Sequence, residues 1–198
     1  MKQKSIMQMA LKDQWQELPQ SLKAHYQGDD NADVGKLSIE YPKAMQLPLN
    51  LLKILGALIN RAGNEIPATV EKSMRRDKQY WRREINFLDG RKVVFKSVWQ
   101  YHEGNELIEF VNRFIGLRMA VKVEDEILRY EGKGFELRLG KLRLRIPEWM
   151  LLGHTSIEEK AIDESHFAMD FRLHHPLFGQ IYRYSGTFIT EKNEFFKE

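Results

Sequence analysis

The apolar positions near the start of the chain recur every three or four residues: Met7, Leu11, Trp15, Leu18 and Leu22. That spacing puts them on one face of an amphipathic helix across residues 5–26. Pro19 falls inside the pattern, which predicts a break near Leu18 and a second short helix with Pro19 in its first turn. Residues 28–33 are polar and acidic and read as a loop, followed by a short extended stretch over 36–41 that ends at Pro42. The window 47–59 is the most apolar of the chain, and its polar members Asn50 and Lys53 share one narrow face. A helix of that kind is buried or covers something apolar, and it is too short to span a bilayer.

From Ile66 the period changes to two. Ile66, Ala68, Val70 and Met74 alternate with polar residues, although Lys72 breaks the apolar parity. Trp81, Arg83, Ile85 and Phe87 form the next alternating face, and Asp89-Gly90 is a strong hairpin signal. The return strand sets Val93, Phe95, Ser97, Trp99 and Tyr101 on one face. Further strands are predicted over 107–114, 117–123, 127–130 and 135–146. Gly132-Lys133-Gly134 is read as a turn, and Gly140 as a bulge or bend inside the last strand. Residues 147–153 make a turn or short helix, and strands over 156–162, 166–173 and 180–189 close the chain.

About ten sequential strands with short turns indicate an antiparallel meander that must curl, split or close. The fold class is therefore α+β, mostly β: N-terminal helices packed on a strongly curved antiparallel sheet or partial β-barrel. The chain reads as a single domain. Residues 1–62 are mainly helical, 63–190 carry the β part, and 191–198 form a charged tail that frays. The 47–59 helix is expected to plug or cover the open side.

Composition narrows the chemistry. With 198 residues, 42% apolar and 30% charged, the chain has ordinary globular proportions. It has no cysteine, which excludes disulfides, thiolate metal sites and thiol catalysis. No run is apolar enough for a transmembrane helix. The start is basic but lacks the apolar core of a signal peptide, and with the missing cysteines this favours the cytoplasm. No cofactor motif is present.

The adjacent pair His174-His175 would point to opposite faces of a strand, so a metal site needing them with His166 or Asp170 is disfavoured. Residues 71–96 hold nine basic and four acidic residues with interleaved aromatics. That pattern suits a single-strand nucleic-acid binder, but a solvated face guarding sheet edges explains it better, and the same holds for Lys141, Arg143 and Arg145. Nucleic acid is therefore not the expected partner. More informative, Arg83, Glu109 and Glu159 share the parity of apolar neighbours. Charges on an inner face must be paired or neutralised. An Arg83–Glu109 or Arg83–Glu159 pair could be purely structural, or could form the polar base of an apolar pocket.

Trp81-Arg82-Arg83, Phe95-Lys96-Ser97, Glu109 with Gly116, Pro147, Glu159, Phe167-Ala168-Met169-Asp170-Phe171, Gly179 and Tyr184-Ser185-Gly186 together make a pattern. It resembles the bacterial family known as domain of unknown function 4166. The resemblance implies a module that stands alone or is fused to saccharopine-dehydrogenase-like and membrane proteins, and hence an oxidoreductase partner. It supplies no catalytic residues.

The leading expectation is non-catalytic binding of a small apolar or amphipathic, acyl-type molecule inside the curved sheet. Its candidate ligand-binding residues are Trp81, Arg83, Phe95, Trp99, Glu109, Glu159, Asp170, Phe171 and Tyr184, with Phe110 or Phe114 as further lining and Arg83 as anion anchor. Two rivals differ in what they require. An auxiliary module acting on an oxidoreductase partner requires a filled interior and an exposed apolar patch. An enzyme using Arg83, Glu109, Glu159, Asp170 or Tyr184 requires several of these to converge in one open cleft.

Overall fold

The computed structural model describes residues 4–27, 30–54, 56 and 58–192. The charged tail from residue 193 lies outside them.

Eleven strands, three α-helices and three short 3-10 helices follow one another among the described residues. Strand β1 (Asn31–Glu40) precedes β2 (Gly63–Arg75), β3 (Lys78–Asn86), β4 (Lys92–Tyr101), β5 (Glu106–Phe110) and β6 (Ile115–Glu124). Then come β7 (Ile127–Leu139), β8 (Leu142–Ile146), β9 (His154–Ala161), β10 (His166–His175) and β11 (Gly179–Lys192). Helices α1 (Ile6–Leu11) and α2 (Gln20–Tyr26) lie before the strands, and α3 (Gln46–Ile54) lies between β1 and β2. No helix is long and apolar enough to cross a membrane.

The strands pair in the order β6-β5-β4-β3-β2-β1-β11-β10-β9-β7, and β7 pairs again with β6. The expected curved sheet is thus a closed antiparallel barrel of ten strands. Its closure pairs the first strand with the last, with Asn31 opposite Lys192. Closure gives every strand of the ring a neighbour on both sides over at least part of its length. The eleventh strand, β8, pairs with the second half of β7, while β9 pairs with the first half on the same edge. The wall therefore divides there. Glu148 bridges the division: one carboxylate oxygen accepts from Thr155 N–H at 3.0 Å and the other lies 3.0 Å from His154 Nδ1. Its carboxylate packs where Gly132 has no side chain.

Several predicted boundaries shift for local reasons. Within the mainly helical segment 1–62 the extended stretch expected over 36–41 begins earlier, since β1 covers Asn31–Glu40, takes in the end of the predicted loop over 28–33 and has partners on both sides. Gly140 is no bulge in a long strand. With φ of +63° it opens a two-residue turn, Leu139 faces Leu142, and β8 folds back on β7. Gly132-Lys133-Gly134 is no turn but a bulge inside β7: Arg118 pairs with Gly134 and Met119 with Gly132, leaving Lys133 extra. The strand from 107 stops at Phe110, where the Asn112 carboxamide oxygen accepts from Phe114 and Ile115 N–H and turns the chain.

The two barrel ends are closed differently. Ser5 caps α1 in a reciprocal box with Gln8. α1 then packs on β4, β5 and β6, and α2 on β1, β9, β10 and β11. Pro19 sits at the N-cap of α2, close to the predicted break. Helix α3 lies over the opposite end with Leu49 fully buried, yet it leaves Leu47, Leu51 and Ile54 exposed. The expected 47–59 helix ends earlier, at Ile54.

Candidate functional site

Inside the barrel a cavity of about 140 Å³ runs between the two capped ends. Period-two alternation aims one side chain in two at it. Strand β3 contributes Trp81 and Arg83, β4 Phe95 and Trp99, β5 Glu109, β9 Glu159, β10 Phe171 and β11 Tyr184. Eight of the nine candidates from sequence therefore meet around one space. Asp170 does not. It sits between Met169 and Phe171, which line the cavity, so alternation turns it outward to Arg172 at 2.6 Å and Arg183 at 2.9 Å. Phe110 is likewise on the outer side, beneath the guanidinium of Arg138 at 3.9 Å. Phe114 is exposed at the α3 end.

The apolar lining is dominated by aromatic rings. Trp81 and Trp99 stack with centroids 4.5 Å apart, and neither indole N–H has an acceptor among the described residues. Arg83 lies 5.0 Å from the Trp81 ring and 5.3 Å from that of Phe95. Its guanidinium donates to Ser97 Oγ at 2.8 Å and pairs with Glu109 at 3.1 Å. Of the two pairings left open by the sequence, Arg83–Glu109 is the one formed.

Glu159 has a different partner. Its Oε2 accepts from Tyr26 OH at 2.7 Å, and Tyr26 is hydrogen-bonded in turn to Tyr130 OH. Burial pushes the Glu159 carboxyl up to about 7, against the opposing pull of Tyr26 and Lys72. Both tyrosine hydroxyls are raised well above their ordinary value, first by burial and then by the Glu159 charge.

Behind this group sits a second buried cluster. Lys72 Nζ donates to Asp33 Oδ2 at 2.7 Å and to the His25 carbonyl at 2.6 Å. His25 Nδ1 lies 2.8 Å from both Lys72 Nζ and Asp33 Oδ2, so its tautomer decides which of them it bonds. Burial lowers His25 to about 4 despite Asp33, leaving it neutral at pH 7. Asp33 feels burial too, but His25 and Lys72 outweigh it and hold the carboxyl at about 2. Lys72 is lowered by burial, with Asp33 opposing.

His25, Tyr26, Asp33, Lys72 and Tyr130 were not singled out as site residues in the sequence. Only Lys72 left a mark there, as the interruption between Val70 and Met74. The other four become neighbours through contacts that span a hundred residues or more, or through the plug helix α2. Among histidines considered for metal, His166 bonds Asp163 at an outer turn. A surface group of His102, Glu103 and Glu106 at the β4–β5 turn is close enough to share an ion, and it stands apart from the cavity.

The basic segment 71–96 is dispersed by the fold. Lys72 and Arg83 turn inward, while Arg82 pairs with Glu71 and Glu84, and Lys92 with Glu84. No curated protein and no solved structure matches the chain. The family that does match is a domain of unknown function, DUF4166. The match covers residues 18–188, from the plug helix α2 into the closing strand β11, and the chain belongs to that family.

Proposed function

We propose that the barrel binds a small, largely apolar molecule whose polar group accepts hydrogen bonds, and binds it without converting it. The observation that carries this reading is the meeting of an aromatic-walled cavity with two donors that are not used up, the indole N–H groups of Trp81 and Trp99, beside the buried Arg83 guanidinium. Glu109 already balances the charge of Arg83. A neutral acceptor such as a carbonyl therefore suits the site better than a full anion. A free volume of about 140 Å³ is near that of engineered apolar cavities that take benzene or xenon, about 150 Å³. The acyl-type ligand expected from sequence is narrowed by this to a ring-sized or short-chain one. Access is from the α3 end, where the lining residues Leu58, Val111, Ile115 and Leu152 are only half-buried, whereas His25 and Tyr26 seal the other end.

Native mass spectrometry of freshly purified protein, followed by denaturing extraction, tests the reading. A stoichiometric small compound released on denaturation, and absent from a folded Arg83→Met variant, supports it. A bare mass, together with no shift in melting temperature across a panel of aryl ketones and short-chain acids, rejects it.

Glu159 favours a second reading, acid–base catalysis, because a carboxyl near 7 inside a cavity is poised to exchange protons at neutral pH. The Glu159→Gln variant separates the two: a binding protein keeps its ligand, whereas an enzyme keeps the ligand and loses turnover.

A further inference from the structure

The up-and-down topology sends alternate connections to the same end of the barrel. The α3 end gathers the β1–β2 connection, the β3–β4, β5–β6 and β10–β11 turns, the β7–β8 hairpin and the segment leading to β9. Contacts confirm the ring: Arg61 pairs with Asp89 across two of these loops at 2.6 Å, and Arg138 N–H donates to the Phe114 carbonyl at 2.7 Å.

Seventeen large apolar side chains are exposed among the described residues, and all but Val34, Tyr80, Val94 and Ile162 belong to this end. Nearly every loop presents one at its tip: Ile54, Leu88, Leu142, Trp149, Leu177 and Phe178, with Leu88 89% and Leu177 81% exposed. Clustering of that extent marks an interaction surface.

The same segments, residues 41–62, 87–92, 111–114, 139–153 and 174–179, hold nine lysines and arginines but only two carboxylates, Asp89 and Glu148. That is an excess of seven positive charges on one end of a chain whose net charge is +3, so the remainder is acidic. Lys43, Lys53, Lys141, Arg143 and Arg145 make no ion pair among the described residues. Strand β8 repeats the theme on a small scale: Leu142 and Leu144 alternate with Arg143 and Arg145, all four exposed.

We propose that this end docks on an anionic lipid bilayer, with its apolar tips in the headgroup–acyl boundary and its basic side chains on lipid phosphates. Single apolar side chains on separate loops, ringed by long cationic ones, suit a deformable surface that lets each tip sink and each lysine or arginine snorkel. Each cation near such a surface strengthens binding about fivefold. A second copy of the chain is a poor occupant, because two ends of the same strong charge would meet. The outer wall is unsuited to lipid, carrying pairs such as Arg82–Glu71 and Arg183–Asp170. The inference goes beyond ligand binding and stands whether or not the cavity is filled.

Cosedimentation of the full chain with vesicles tests it, comparing pure phosphatidylcholine with equal parts phosphatidylcholine and phosphatidylglycerol. Binding is expected only with phosphatidylglycerol and should weaken with salt. Trp149 fluorescence should shift to the blue on binding, and the shift should vanish in Trp149→Phe. The double variant Trp149→Ala/Phe178→Ala should bind at least about tenfold more weakly, as should Lys141→Glu/Arg143→Glu. Ile162→Ala, at the far end, should bind normally. All these positions are exposed, so unchanged circular dichroism melts verify folding. Equal binding to both vesicles, or none to either, overturns the proposal. So does a dimer, or a complex with an acidic protein, that the same substitutions abolish in the absence of vesicle binding.

Discussion

Burying an ammonium group is costly unless each of its protons finds an acceptor, and Lys72 meets that condition. Its side chain is fully buried, with Asp33 and the His25 carbonyl as acceptors and the Trp81 ring 5.3 Å away. Glu159 solves the same problem differently, by holding its proton. Its ordinary value is 4.5 and its native value about 7, so between those pH values the native state binds more protons than the unfolded one. The stabilisation from Glu159 is therefore complete below about pH 4.5 and is lost as pH rises through 7. His25 and Asp33 act in the opposite sense: their stabilisation is lost as pH falls, for His25 from 6.5 toward 4 and for Asp33 toward 2. Those contributions are common to wild type and Glu159→Gln. The difference in unfolding free energy, wild type minus Glu159→Gln, should thus fall by a few kcal/mol between pH 4.5 and 8 in urea titrations. A flat difference would mean that the carboxyl is not held protonated by burial.

At the level of elements, turns decide where strands begin and end. Asp125 and Glu126 join β6 to β7 with φ of +52° and +61°, and both are in the left-handed region that matches hairpin twist. Glutamate is a poor residue there, since a Cβ costs roughly 1 kcal/mol in that conformation. Glu126 has no ion pair among the described residues to offset the strain. Glu126→Gly should therefore raise stability by about 0.5–1 kcal/mol, read as a higher urea midpoint at unchanged slope. A lower midpoint would place the cost in the unfolded chain's extra freedom. The β7–β8 hairpin obeys the same physics with Gly140, whose positive φ reverses the chain where strand periodicity alone suggests continuation.

At the scale of the whole molecule, every barrel strand has two neighbours, and the ring closes only when β11 meets β1 across the full length of the chain. A barrel of that kind has few ways to open in part. Unfolding followed by tryptophan fluorescence, which samples Trp81 and Trp99 at the centre, should coincide with far-ultraviolet circular dichroism in one transition. Because the closing pairs are distant in sequence, refolding should take milliseconds to seconds rather than microseconds. Separate transitions by the two probes would mean that the helical plug and the barrel fold independently.

Much of this was legible before any coordinates. Period-two alternation located the β part and put Trp81 with Arg83, and Phe95 with Trp99, on shared faces; that these faces, with Glu109, Glu159, Phe171 and Tyr184, line the interior was decided by closure of the barrel. The same rule, applied strictly, excludes Asp170, which lies one step from Met169 and Phe171. Glycine signals were ambiguous, since a glycine in a strand serves a turn as well as a bulge, and only pairing partners distinguish Gly140 from Gly132-Lys133-Gly134. Sequence by itself determined which side chains share a face, because that depends on local backbone geometry. Tertiary structure alone decided that the sheet closes, that Arg83 pairs with Glu109 while Glu159 faces Tyr26, and that His25, Asp33 and Lys72 meet. It also gathered scattered leucines, aromatics and cations onto one end. Those outcomes depend on which distant strands become neighbours, and the burial energy that selects them is a property of the whole chain.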